Sequence, residues 1–122
     1  MAEFMLIFHQ NAATYGTRPL ETRRQALAEY VAWRMEIEES FIDANKMAAD
    51  KGRCLLFHNG EVRVIDGPYA EAKEVIGGYV LFRAANYEEA LKIARDCPFL
   101  KYGSRIELRE VDSMAEKQLW NS

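Results

Sequence analysis

Cysteine is scarce in this chain. Among its 122 residues only Cys54 and Cys97 carry thiols, and neither stands at metal-ligand spacing from another Cys or a His. This argues against a disulfide framework and against a zinc site. The expectation is two reduced, mostly buried thiols. Cys97 falls near the C-terminal end of an expected helix, the wrong end for activating a thiolate. Long apolar runs are missing too: none approaches the ~18 residues that a membrane span needs. Residues Met1 to Phe8 lack a basic stretch followed by a long apolar core, so no secretory signal is read and the cytoplasm is the expected location. Basic charge is not in excess. Sixteen Lys and Arg against nineteen Asp and Glu leave a net charge of −3, which argues against direct nucleic-acid binding. No repeat, low-complexity stretch or linker interrupts the chain, and residues 1–122 read as a single domain.

The chain does carry alternating strand and helix patterns. Residues 3–9 are almost continuously apolar, which suits a strand covered on both faces. Pro19 can open a helix because the first turn does not need its missing N–H, and Glu21 places negative charge near that positive end. Leu27, Val31 and Met35, widened by Tyr30, Trp33 and Ile37, form a helical stripe expected to face the core. Phe41 to Asn45 reads as a short strand. Arg53 to Phe57 and Val62 to Asp66 read as a hairpin, because Asn59-Gly60 supplies the left-handed pair of a tight type I′ turn. Counting from that turn pairs Phe57 with Val62, Leu55 with Val64 and Arg53 with Asp66.

A strand follows over Ile76 to Ala84, with a bulge or close backbone approach expected at Gly77-Gly78. Asn86 and Glu89 stand at capping-box spacing before a second helix, which Pro98 ends. Residues 104–111 alternate, so that Ile106 and Leu108 face one way and Arg105, Glu107 and Arg109 the other. The order βαββαβ is an α+β, ferredoxin-like arrangement: an antiparallel sheet with both helices on one face. Residues 41–57 read as extra strand material within it. The second sheet face is then left bare, and a homodimer is expected to cover it and enclose a cleft.

The segment Asp66-Gly67-Pro68-Tyr69-Ala70-Glu71-Ala72-Lys73-Glu74, followed by Gly77-Gly78-Tyr79, is unlike ordinary core or surface. With the opening Phe4-Met5-Leu6-Ile7-Phe8, Cys97-Pro98, Tyr102-Gly103 and Ile106-Glu107-Leu108-Arg109, it resembles the YCII-related family, specifically its DGPF branch. The resemblance implies a dimeric α/β barrel. Some YCII-related proteins look like dehydrochlorinase- or isomerase-type enzymes with a His–Asp pair in the cleft, the His following an Arg-Pro. Here Arg18-Pro19 is followed by Leu20 and Glu21, so that His has no counterpart. Members of the branch are often encoded beside extracytoplasmic-function sigma factors, which implies a regulatory partnership as the alternative to catalysis.

Several residues are candidates for the cleft. Asp66, Glu71 and Glu74 are the candidate proton carriers for acid–base chemistry of an isomerase or lyase type, without a metal or cofactor. Asp66 could equally be a turn residue or a partner for Arg53. Lys73, between two carboxylates, could hold an anionic ligand or belong to a structural ion-pair network. Tyr79 offers a phenol as a polar handle, or packs across the dimer. His9 would need a carboxylate partner to fix its tautomer. Arg109, with Glu107, points toward the bare face and could contact a ligand or form an interface salt bridge. The expected ligand is a small polar or anionic organic molecule.

Overall fold

The computed structural model describes residues 1–50, 52–67 and 73–112. Six strands and two α-helices run in the order β1 (Ala2–Asn11), α1 (Leu20–Glu36), β2 (Phe41–Lys46), β3 (Arg53–His58), β4 (Glu61–Asp66), β5 (Glu74–Ala84), α2 (Tyr87–Arg95) and β6 (Arg105–Glu110). A short 3-10 segment, Pro98–Tyr102, links α2 to β6. Strands β2, β5, β1 and β6 form one antiparallel sheet in that spatial order. This is the ferredoxin-like order, with β1 and β5 in the centre.

Strands β3 and β4 form a separate two-stranded sheet between β2 and β5 in sequence. The expected assignment therefore shifts in one place. Residues 41–46 are the second strand of the main sheet, and the extra material is the hairpin 53–66. The hairpin pairs as the turn dictates: Arg53 with Asp66, Leu55 with Val64 and Phe57 with Val62. Asn59 and Gly60 both take positive φ, +50° and +79°, as a type I′ turn demands.

The core lies between one sheet face and the helices. Phe4, Leu6, Phe8, Val80, Phe82 and Ala84 alternate inward from β1 and β5. They meet Trp33 of α1 and Ala90 and Ala94 of α2. The Trp33 indole N–H donates to the Ile93 carbonyl at 3.2 Å, which ties the two helices together. Phe99 stacks on Tyr30 and meets Phe8 edge-on, closing the core beneath α1. Cys97 is buried in the same cluster, and desolvation pushes its thiol up to about 11, so it is an inert packing residue.

The helical stripe differs from expectation. Ala26 and Trp33 are the buried positions of α1, with Tyr30 and Ile37 packed beside them, while Leu27, Val31 and Met35 are exposed. A single wide aromatic, Trp33, sets the inward direction, and the four-residue series drifts off that face. In α2 the Asn86 side chain accepts the Glu89 N–H at 2.9 Å, the expected N-terminal cap. No helix among the described residues is long and apolar enough to cross a membrane.

Candidate functional site

In antiparallel pairs, residues directly opposite one another point to the same face. Two rows of side chains therefore cross the open face of the sheet. The first runs Asn45, Tyr79, Ile7, Glu107 across β2, β5, β1 and β6. The second runs Asp43, Leu81, Met5, Arg109. The apolar side chains Ile7, Met5 and Leu81 form a half-buried floor in the middle. Polar groups stand on either side of it.

On the β1–β6 side, His9 Nε2 lies 2.9 Å from Glu107 Oε1, with the His9 side chain only 15% exposed. A carboxylate can only accept, so a neutral His9 carries its proton on Nε2 and keeps the lone pair on Nδ1. Arg109 reaches the other Glu107 oxygen at 3.4 Å, a long contact, and its side chain is 68% exposed. The hydrogen bond from His9, helped by Arg109, holds the Glu107 carboxyl below its usual range. Glu107 is thus an anion that orients an imidazole, the arrangement by which a carboxylate prepares a general base.

On the β2–β5 side, the Tyr79 hydroxyl donates to Asp43 Oδ2 at 2.8 Å and accepts from Asn45 Nδ2 at 2.9 Å. Two of its three hydrogen-bonding positions are filled, and one lone pair remains.

The other candidates fall in different places. Glu74 accepts from the Arg105 guanidinium at both oxygens, at 2.7 and 3.1 Å, and this pairing lowers its carboxyl pKa. Lowering makes it a weaker base. Asp66 is not a buried carboxylate in the protomer. Its side chain is 88% exposed at the end of the hairpin and pairs with Arg53 at 3.0 Å, the alternative that the hairpin register implied. Lys73 is exposed, makes no ion pair with a described residue, and offers its carbonyl to the Ala12 N–H. Glu71 lies outside the described residues, as does the stretch 68–72 of the motif.

The glycine pair has a packing explanation. The register of β1 against β5 shifts between Phe8 and His9, which leaves Gly77 as the extra residue of a bulge. A Cβ on Gly78 would sit 2.7 Å from the Asn45 carbonyl oxygen, and one on Gly77 2.7 Å from Gln10 Cγ. The space beside these glycines is already filled by β2 and Gln10 rather than left open for a ligand.

A groove of about 520 Å³ lies between the end of α1 and α2, lined among others by Trp33, Arg83 and Lys92. Its Lys92–Glu89 pair is an ordinary i,i+3 contact on one helix, and it holds neither of the oriented hydrogen-bonded groups of the open face.

The sequence pattern points to His9, Tyr79 and Arg109, and the fold supplies their partners. Glu107 was visible through the alternation of β6. Asp43 and Asn45 were passed over, although two polar residues at i, i+2 in a short strand mark one side of it.

The structure is similar to that of 5-chloro-2-hydroxyhydroquinone dehydrochlorinase from Burkholderia phenoliruptrix, solved in complex with 2,5-dihydroxybenzoquinone. The TM-score is 0.50 at 16% identity, over 89% of this chain and 93% of that one. At that identity the likeness concerns the fold. A protein of Rhizobium meliloti (strain 1021) described as uncharacterised is 51% identical over 67 residues. That match takes in 49% of this chain and spans about half, 54%, of the relative's length. The model of the YCII-related domain matches residues 2–115, nearly the whole length. By that match the chain belongs to the family of YCII-related domains.

Proposed function

We propose that the chain binds a small polar or anionic organic molecule on the open face of its sheet and moves a proton there through His9. The observation that carries this reading is the His9–Glu107 contact of 2.9 Å beside an apolar floor. Glu107 holds the imidazole through its Nε2 proton and leaves Nδ1 as the position that takes a proton from the ligand. Arg109, loosely engaged and exposed, is the cation for a carboxylate or developing oxyanion. The proton-carrying role thus passes to His9 from Asp66 and Glu74, whose carboxylates are occupied by arginines.

In this reading a second copy of the chain covers the face and closes the cleft, as in a dimeric α/β barrel. The protomer leaves Met5, Ile7 and Leu81 half-exposed on the sheet and exposes Leu55, Phe57, Val62 and Val64 on the hairpin. Soluble monomers rarely expose more than a few hundred Å² of contiguous apolar surface. Membership of the DGPF branch rests on the motif Asp66 to Tyr79 in the sequence. The polar groups gather on the face a second copy would cover, which favours a ligand there over a sigma factor.

Titration with acetate and with benzoate, followed by amide spectra, tests the reading. Shifts are expected to cluster at Ile7, His9, Glu107 and Arg109, and Arg109→Gln is expected to weaken them. Shifts scattered over the surface, or unchanged by Arg109→Gln, would contradict it.

A further inference from the structure

The two polar ends of the open face differ in chemistry. At the β6 end stand a guanidinium and an imidazole. At the β2 end stands a phenol whose proton is committed to Asp43 and which accepts from Asn45. Tyr79 as held can offer a ligand only its remaining lone pair, so the group it recognises must be a hydrogen-bond donor. The two ends demand opposite things of a ligand: a donor at Tyr79 and an acceptor or anion at Arg109.

Register fixes how far apart these demands lie. Tyr79 and Glu107 share a row with only Ile7 between them, and Leu81, Met5 and Arg109 occupy the next row. Neighbouring strands are about 4.8 Å apart and same-face residues about 6.7 Å apart along a strand, so the positions of Tyr79 and Arg109, two strands and one row apart, are separated by roughly 12 Å. That width takes one six-membered ring with a substituent at each end, each making a hydrogen bond of about 2.8 Å. The floor beneath is apolar, as a ring face prefers.

We infer that the ligand is a single planar ring bearing an anionic group at one end and a hydroxyl at the other, and that Tyr79 reads the hydroxyl. This rests on the reading of the open face as a ligand site. Asp43 and Asn45 are positioning residues. They hold the phenol from two sides and decide that it acts as an acceptor.

The probes are 4-hydroxybenzoate and benzoate, titrated into the full chain and followed by calorimetry and amide spectra. The wild type is expected to bind 4-hydroxybenzoate roughly tenfold more tightly than benzoate, the scale of one hydrogen bond in a partly desolvated site. Tyr79→Phe is expected to erase that preference while keeping benzoate affinity within about twofold. Its amide spectrum reports whether the variant stays folded, and the wild-type comparison needs no variant. Arg109→Gln is expected to weaken both probes alike. Equal binding of the two probes by the wild type, with shifts at His9 and Arg109, would overturn the inference and leave the ligand site standing. Failure of both probes to perturb the face would overturn both.

Discussion

His9 and Glu107 meet across a diagonal. In the register His9 opposes Arg105 and Ile7 opposes Glu107, yet the imidazole reaches Glu107 at 2.9 Å. Arg105, the direct neighbour, is turned aside to Glu74 by a bidentate pair. The Arg105–Glu74 ion pair therefore clears the way for the His9–Glu107 hydrogen bond. Arg105→Gln is expected to release Glu74 and loosen the orientation of His9 without unfolding the protein. The histidine side-chain nitrogen spectrum checks this, and the expected change is a larger shift at His9 than at His58.

Three carboxyls in the described residues sit below their ordinary value of 4.5: Glu29, held by Lys101 and Tyr102; Glu74, held by Arg105; and Glu107, held by His9 and Arg109. A carboxyl lowered in the folded state stabilises the fold above its unfolded pKa and loses that contribution as pH falls through the folded pKa. Stability is expected to be flat in this contribution from pH 7 to about 5 and to decline below about 4.5. Urea midpoints measured across that range check it. The combined replacements Glu29→Gln, Glu74→Gln and Glu107→Gln are expected to flatten the decline.

The two adjacent glycines should not be equally tolerant. A methyl on Gly78 meets a backbone carbonyl, that of Asn45, which cannot step aside without moving β2. A methyl on Gly77 meets the flexible Gln10 side chain. Gly78→Ala is expected to cost about 1–3 kcal/mol and Gly77→Ala less. Chemical denaturation of the two variants gives the comparison.

The hairpin presents Leu55, Phe57, Val62 and Val64 on one face, each more than 60% exposed in the protomer. An isolated two-stranded ribbon is only marginally stable in water. If a second copy covers this face, Phe57→Asp is expected to lower the apparent mass toward one chain while the amide spectrum of the main sheet persists. Light scattering on the wild type and the variant decides it.

Much of this fold was legible because its turns carry local chemistry. Asn59-Gly60 set the hairpin register to the residue, and Asn86 with Glu89 marked the start of α2. The buried face of α1 is not legible in this way, because four-residue spacing is satisfied by more than one stripe and only tertiary packing selects the one with Trp33. The role of β2 was missed because a six-residue strand says nothing of which partner it pairs with. The site was legible in part. Alternation placed Arg109 and Glu107 on the open face, whereas the meeting of His9 with Glu107 joins residues 98 positions apart. The density of charge around Asp66 to Glu74 drew attention away from it, and the described members of that cluster prove to be exposed.

The most direct test is a long-range nitrogen spectrum of the His9 ring in its neutral form, in the wild type and in Glu107→Gln. The expected result is a proton on Nε2, a bare Nδ1, and a marked change in both signals when the carboxylate is replaced. A proton on Nδ1, or a ring indifferent to the replacement, would contradict it.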